Sequence, residues 1–182
     1  MNQTDINIRP ATPEDALFIA RGFHTAMLYE NVEEERTRLF AENVCSRDDV
    51  LYSWKNTIIA EVEGKPAGMI TSYVGSQYKT LQINTFRIIK ELFNTEFPGM
   101  EDETVPGEYY LDSLAVLPAF RGKGIGRTLL ETAIKTGKDM GLVVTLAVDP
   151  VNERAQNLYK SLGFSPAGDL FIFGHTYWKM KQ

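Results

Sequence analysis

Residues 109–130, YYLDSLAVLPAFRGKGIGRTLL, carry an apolar strand pattern, a short loop rich in arginine and glycine, and the opening of an amphipathic helix. That order leaves a row of backbone N–H groups, unsatisfied by the helix's own ladder, at the positive end of the helix dipole. A corner of this kind is suited to holding phosphate.

Two familiar glycine loops do not fit it. A nucleotide P-loop opens its helix with Gly-Lys-Ser/Thr, whereas Lys123 lies between Gly122 and Gly124 with no hydroxyl residue after it. A dinucleotide fingerprint needs a third glycine three residues past the second, and Gly122, Gly124 and Gly126 do not supply that spacing. What is left is Arg121-x-x-Gly124-x-Gly126, flanked by Gly122, Lys123, Ile125 and Arg127 and followed by an amphipathic run to Met140. Glycine allows unusual backbone dihedrals and a close approach to a diphosphate.

A second motif lies downstream, DPVNERAQNLYKSLGF at 149–164. Pro150 pre-sets a helical dihedral, Asp149 is placed to cap the free N–H groups, and Gly163 suits a left-handed stop. Asn152, Ala155 and Tyr159 stand three and then four residues apart, on one helical face. From the residues alone, Asn152 is either a helix cap or a ligand contact, and Tyr159 either a core aromatic or a chemical group.

Taken together, Arg121-x-x-Gly124-x-Gly126 and Asn152-x-x-Ala155-x-x-x-Tyr159 with Gly163-Phe164 resemble the two motifs of the GNAT superfamily of acyl-CoA N-acetyltransferases. The resemblance implies an α/β (α+β) fold: a central, mixed, mostly antiparallel twisted sheet of about seven strands with helices on both faces. It implies acetyl-CoA as co-substrate, with residues 121–127 on its diphosphate and Asn152 near its pantetheine arm. In the family the strand before the glycine loop and the next strand splay apart, and the arm inserts between them. The backbone of Leu114, Ala115 and Val116 would then contact it. Tyr159 would protonate the departing thiolate.

The acceptor side is less marked. Alternation along the strand at 108–116 puts Glu108, Tyr110 and Asp112 on one side, and Asp112 is the first candidate for the base that neutralises an attacking amine. A structural role for Asp112 and a water relay both stay open. His175, Tyr177 and Trp178, in a closing strand, are placed to border the acceptor, with His175 as a secondary base; His24 lies within the first helix.

Elsewhere the pattern predicts a strand near 6–9, a helix opening at Thr12 or Pro13, a helix over 33–44 and a hairpin at 57–62 and 67–74 turned by Glu63-Gly64-Lys65-Pro66. The run LVVTLAV at 142–148 has little alternation, as expected of a central strand. Closing strands are expected at 170–173 and 175–179. Residues 77–107 read as a helical insertion, with a helix near 79–93 whose apolar residues cover the sheet, line a substrate pocket or form a homodimer contact; acceptor specificity is expected to lie there.

Composition bounds the rest. A chain of 182 residues, 43% apolar, can bury one sizeable core and points to a single domain over 1–182. No apolar run approaches a membrane span and the first ten residues lack a signal-peptide pattern, so a cytoplasmic protein with no membrane partner is expected. Its one cysteine, Cys45, precludes an internal disulfide, and two histidines argue against a metal site. Cys45 reads as a small, partly buried helix residue. A net charge of −5, with acidic runs at 30–35 and 101–108 read as solvated faces, disfavours nucleic acid and weakly favours cationic acceptors. The expected function is acetyl transfer to a primary amine of a small molecule or peptide, with a non-catalytic acyl-CoA-binding regulator as the alternative. Longer acyl donors and O-transfer stay open.

Overall fold

The computed structural model describes residues 5–27 and 31–182. Glu30, first of the acidic run at 30–35, lies outside them. Seven strands form one sheet: β1 (Ile6–Pro10), β2 (Thr57–Val62), β3 (Lys65–Val74), β4 (Glu108–Val116), β5 (Val143–Val148), β6 (Ser165–Ile172) and β7 (His175–Lys181). Their order is β1-β2-β3-β4-β5-β7-β6, with β4 and β5 parallel and every other pair antiparallel. The helices are α1 (Ala16–Ala26), α2 (Glu34–Phe40), α3 (Gly75–Phe93), α4 (Ile125–Asp139) and α5 (Glu153–Ser161). This is the mixed, mostly antiparallel sheet that the resemblance implies.

Apolar residues from α1, α2 and α3, among them Ile19, Phe23, Phe40 and Ile89, meet Met69, Tyr73, Tyr110 and Ala115 in one core. On the opposite face Leu129, Leu130 and Ala133 of α4 meet Ile70, Tyr109, Leu111, Val144 and Leu146 in a second. Burying each large apolar side chain contributes about 1.5–3 kcal/mol, so the sheet is fixed from both sides.

Local chemistry explains where the elements begin and end. The Thr12 N–H donates to the Asp15 carboxylate at 2.8 Å, and a single 3-10 turn at Pro13–Asp15 leads into α1. The β2–β3 hairpin is tighter than its sequence suggests: Glu63 and Gly64, at φ 52° and 71°, turn the chain alone, and Lys65 and Pro66 belong to β3. α2 continues as a π-helical turn over Ala41–Cys45, which buries Cys45 completely rather than partly.

α5 also departs from expectation. It starts at Glu153, not beside Pro150, and its cap is Asn152, whose Oδ1 accepts the Ala155 N–H at 3.1 Å. Asp149 instead accepts the Val151 N–H at 3.0 Å and shapes the loop before it. Gly163 takes the expected left-handed φ, 90°.

Candidate active site

The opening of the sheet lies in the register of β4. Thr71 faces Ser113 and Ser72 faces Leu111, so Asp112 is an extra residue without a partner on β3. Such a bulge bends a strand and re-aims its side chains. On the other edge, β4 pairs with β5 only from Glu108 to Leu111. Beyond that point Ala147 and Val148 pair with β7 alone, and the β5-facing edge of β4 has no strand partner, its Val116 carbonyl accepting from Arg121 Nε at 3.2 Å. The two strands part where Asp112 stands.

A cleft of about 510 Å³ occupies the gap, lined by Leu114, Ala115 and Val116 on β4, by Arg121, Gly122, Gly124, Ile125, Gly126 and Arg127 of the loop and α4, and by Asn152 and Tyr159 of α5. Gly122 and Gly124 adopt φ 78° and 83°, the left-handed region where a Cβ is disfavoured. Gly124 is the α4 N-cap and carries no capping side chain, so the first-turn N–H groups stay available to an anion. The cation set differs from expectation. Lys123 does not line the cleft, and its Nζ lies over the Phe120 ring at 5.2 Å from the centroid. Arg127 lines it while donating to Ser161 Oγ at 2.6 Å and Glu131 at 3.2 Å. Arg154, which the sequence reading missed, lines the same wall.

Tyr159 and Asn152 are shared with a second cavity of about 220 Å³ at the inner end of the gap. Asn152 Oδ1 is committed to its helix cap, which leaves only its amide NH2 for a ligand. Tyr159 packs edge-on to Phe164 at 6.1 Å, and burial pushes its phenol up to about 12. It is therefore a proton carrier at neutral pH.

The inner cavity is also lined by Asp112, Tyr110, Tyr177 and Glu103. Asp112 accepts from Tyr73 Oη at 2.6 Å and from Ser113 Oγ, with no cation beside it among the described residues. Burial raises its carboxyl above the usual aspartate range, and the two hydrogen bonds partly oppose the rise. Glu103 is 2% exposed and accepts from Tyr110 Oη at 2.9 Å and Tyr78 Oη at 3.5 Å. Burial first, and then the charge of Asp112, push its carboxyl well above the glutamate range. A charge on Asp112 therefore disfavours a second charge on Glu103.

Glu103 belongs to the acidic run expected to form a solvated face, and it is buried instead. A loop carboxylate carries no periodic signal of burial; only its position among tyrosines from β4 and α3 reveals it. Glu108 does not reach the cavity. Against the upward push of burial, Lys179 Nζ at 2.8 Å and Thr104 Oγ1 hold its carboxyl below the usual range, and Thr145 of β5 donates to it as well. It ties the closed end of the parting strands together. His175 is exposed at the start of β7 and lines neither cavity, whereas Tyr177, from the same strand, does. His24 lies at the end of α1, near Thr37 Oγ1 at 3.4 Å, away from both cavities.

The model of the Acetyltransferase (GNAT) family matches residues 24–164. The chain belongs to the GNAT acetyltransferase family. Members of this family use acetyl-CoA as the donor. N-alpha-acetyltransferase 40 of Saccharomyces cerevisiae is 33% identical over 136 residues, covering 68% of this chain and 47% of its own. N-alpha-acetyltransferase RimI of Mycobacterium tuberculosis is 42% identical over 65 residues, 36% of this chain and 40% of its own. The chain thus spans less than half the length of these curated GNAT relatives. The crystal structure of an N-acetyltransferase from Staphylococcus aureus Mu50 superposes with a TM-score of 0.79 at 26% identity, over 97% of this chain and 100% of that one. No helix among the described residues is long and apolar enough to cross a membrane.

Proposed function

We propose that this GNAT protein is an acetyl-CoA-dependent N-acetyltransferase acting on a primary amine of a small molecule or peptide. The observation that carries the proposal is the placement of Tyr159 between two cavities, one rimmed by the glycine loop and the other by buried carboxylates. Acetyl-CoA fits the outer cleft on three counts: free N–H groups at the α4 terminus, left-handed glycines beside them, and an unpaired strand edge on β4. When bound there, it supplies an activated acetyl thioester to the amine.

The residues divide the work. The N–H groups of Gly124, Ile125, Gly126 and Arg127, with Arg121 and Arg154, hold the diphosphate by charge and hydrogen bonds. The backbone of Leu114, Ala115 and Val116 orients the pantetheine arm, assisted by the Asn152 amide. Asp112 takes a proton from the amine, directly or through one water, so that nitrogen has a lone pair for attack. Glu103, whose carboxyl is pushed well above the glutamate range by burial and by the Asp112 charge, resists adding a second charge to the cavity. Tyr159 delivers a proton to the sulfur as the thiolate departs.

A binding protein without turnover has no need of two buried carboxyls whose direct partners are hydroxyls, a cost of several kcal/mol that the charge of Lys179 offsets only at Glu103. That pair favours the enzyme over the regulator. The test is release of free thiol from acetyl-CoA with a panel of primary amines, together with the mass of the product. A gain of one acetyl group on nitrogen is expected, and binding of acetyl-CoA without thiol release across the panel would support the regulator instead.

A further inference from the structure

Beside the inner cavity lies a larger chamber of about 450 Å³ whose walls include Phe23, His24, Phe40, Tyr52, Phe93 and Phe97. The two are neighbours. Phe173 lines both, and Tyr52 is close enough to Tyr73, which holds Asp112, to act on its titration. No carboxylate lines the chamber among the described residues, and the Arg36 guanidinium lies over Phe93 at 4.6 Å. A second amine would find no counter-charge there. An uncharged apolar group would find aromatic walls, with the His24 ring held toward its neutral form by burial and by the charge of Arg36.

Phe173 is held at this junction at a backbone cost. The β6–β7 hairpin pairs Ile172 with His175, so Phe173 and Gly174 alone make the turn, at φ 51° and 81°. A two-residue turn with both φ positive favours Asn-Gly or Gly-Gly, and a bulky residue in its first position is strained. The ring meets Phe97 edge-on at 5.0 Å. The loop after α3 is tied to the same edge, because the Glu101 N–H donates to the Phe171 carbonyl at 2.9 Å and Glu101 Oε2 accepts the Phe171 N–H at 2.6 Å. Strain that persists where a ring divides two cavities suggests a use for that ring.

We propose that the chamber is the second half of the acceptor site and selects primary amines bearing an uncharged apolar substituent, with Phe173 the specificity-determining residue between the amine end and the apolar end. This rests on the acetyl-transfer reading and adds the acceptor's chemical class.

Two measurements test it separately. In the first, saturation-transfer NMR with 3-phenylpropan-1-ol, which has no amine, reports on the chamber without catalysis. Signal is expected with the wild type and a severalfold weaker one with Thr95→Trp, which fills the chamber from a loop position. Equal signals, or none with the wild type, overturn the proposal. In the second, kcat/KM is followed by thiol release from ethylamine to hexylamine. It should rise about fourfold per methylene, the value of one buried CH2. Phe173→Gly should flatten that rise while keeping or raising the melting temperature, since glycine suits the turn. If Phe173→Gly does not fold, Thr95→Trp should flatten it instead. Normal turnover with a flat wild-type series overturns this inference and leaves the acetyltransferase standing. No turnover with any amine removes both, even if the alcohol binds.

Discussion

Tyr159 is the point where the donor and acceptor ends of the cleft meet, and its titration sets what it can do. With the phenol near 12 and a thiol near 8.5, proton delivery to a free thiolate runs uphill by about 3.5 units, or about 5 kcal/mol. A turnover of about 10 per second corresponds to a barrier of about 16 kcal/mol, so the step is affordable, and donation as the C–S bond breaks costs less. Tyr159→Phe should therefore lower kcat about 100-fold or more while KM for acetyl-CoA changes less than about twofold. Steady-state kinetics decides this, and an unchanged kcat eliminates Tyr159 as the acid. The carboxyl pair makes a second residue-scale prediction. Asp112→Asn should abolish the acidic limb of the kcat/KM profile, whereas Glu103→Gln, which mimics the neutral carboxyl, should keep the limb within a fraction of a pH unit. Loss of the limb in Glu103→Gln alone would exchange their roles.

At the scale of elements, the glycine loop was legible because its determinants are local, whereas the parting of β4 from β5 was implied only by the family resemblance. Left-handed glycines, a helix start and an unalternating strand all leave a pattern in the sequence. What escaped depends on register and packing. The bulge at Asp112 follows from how β3 and β4 pair, and the burial of Glu103 from how the loop after α3 folds back over β4. Of the two roles its sequence allows, Asn152 takes the helix cap, and Asp149, expected to cap, instead accepts the Val151 N–H. The attachment of that loop can be tested through Gly75, the first residue of α3. A Cβ there would collide with the Val105 carbonyl oxygen, backbone that cannot swing aside. Gly75→Ala should thus shift the loop carrying Glu103, lowering stability by about 1–3 kcal/mol in chemical denaturation and reducing turnover. An alanine variant with wild-type stability and rate would show that the loop is not held at Val105.

For the whole molecule, the same buried carboxyls link stability to pH. Both titrate higher folded than unfolded, so the folded chain binds more protons and their contribution to stability declines as pH rises above about 4 and through their folded values. Asp15 has the opposite sign: its hydrogen bond from Arg9 lowers it, giving stability that is lost as pH falls below the usual aspartate range. Glu103→Gln should consequently melt higher than the wild type at pH 8 and close to it at pH 5. Each pKa unit relieved is worth about 1.4 kcal/mol, or about 3–6 °C in a chain of this size. Scanning calorimetry at the two pH values checks it, and a variant gaining equally at both would place the strain outside Glu103 ionisation. Saturating acetyl-CoA, by binding only the folded chain, should add about 2.7 kcal/mol at one hundred times its Kd.

The most direct measurement of the central claim is free-thiol release from acetyl-CoA with and without primary amines, run side by side on the wild type and Tyr159→Phe. Amine-dependent release by the wild type and a loss of about 100-fold in the variant are expected, with acetyl-CoA binding preserved in both. Acetyl-CoA bound by the wild type, but no thiol released above background with any amine, would contradict it.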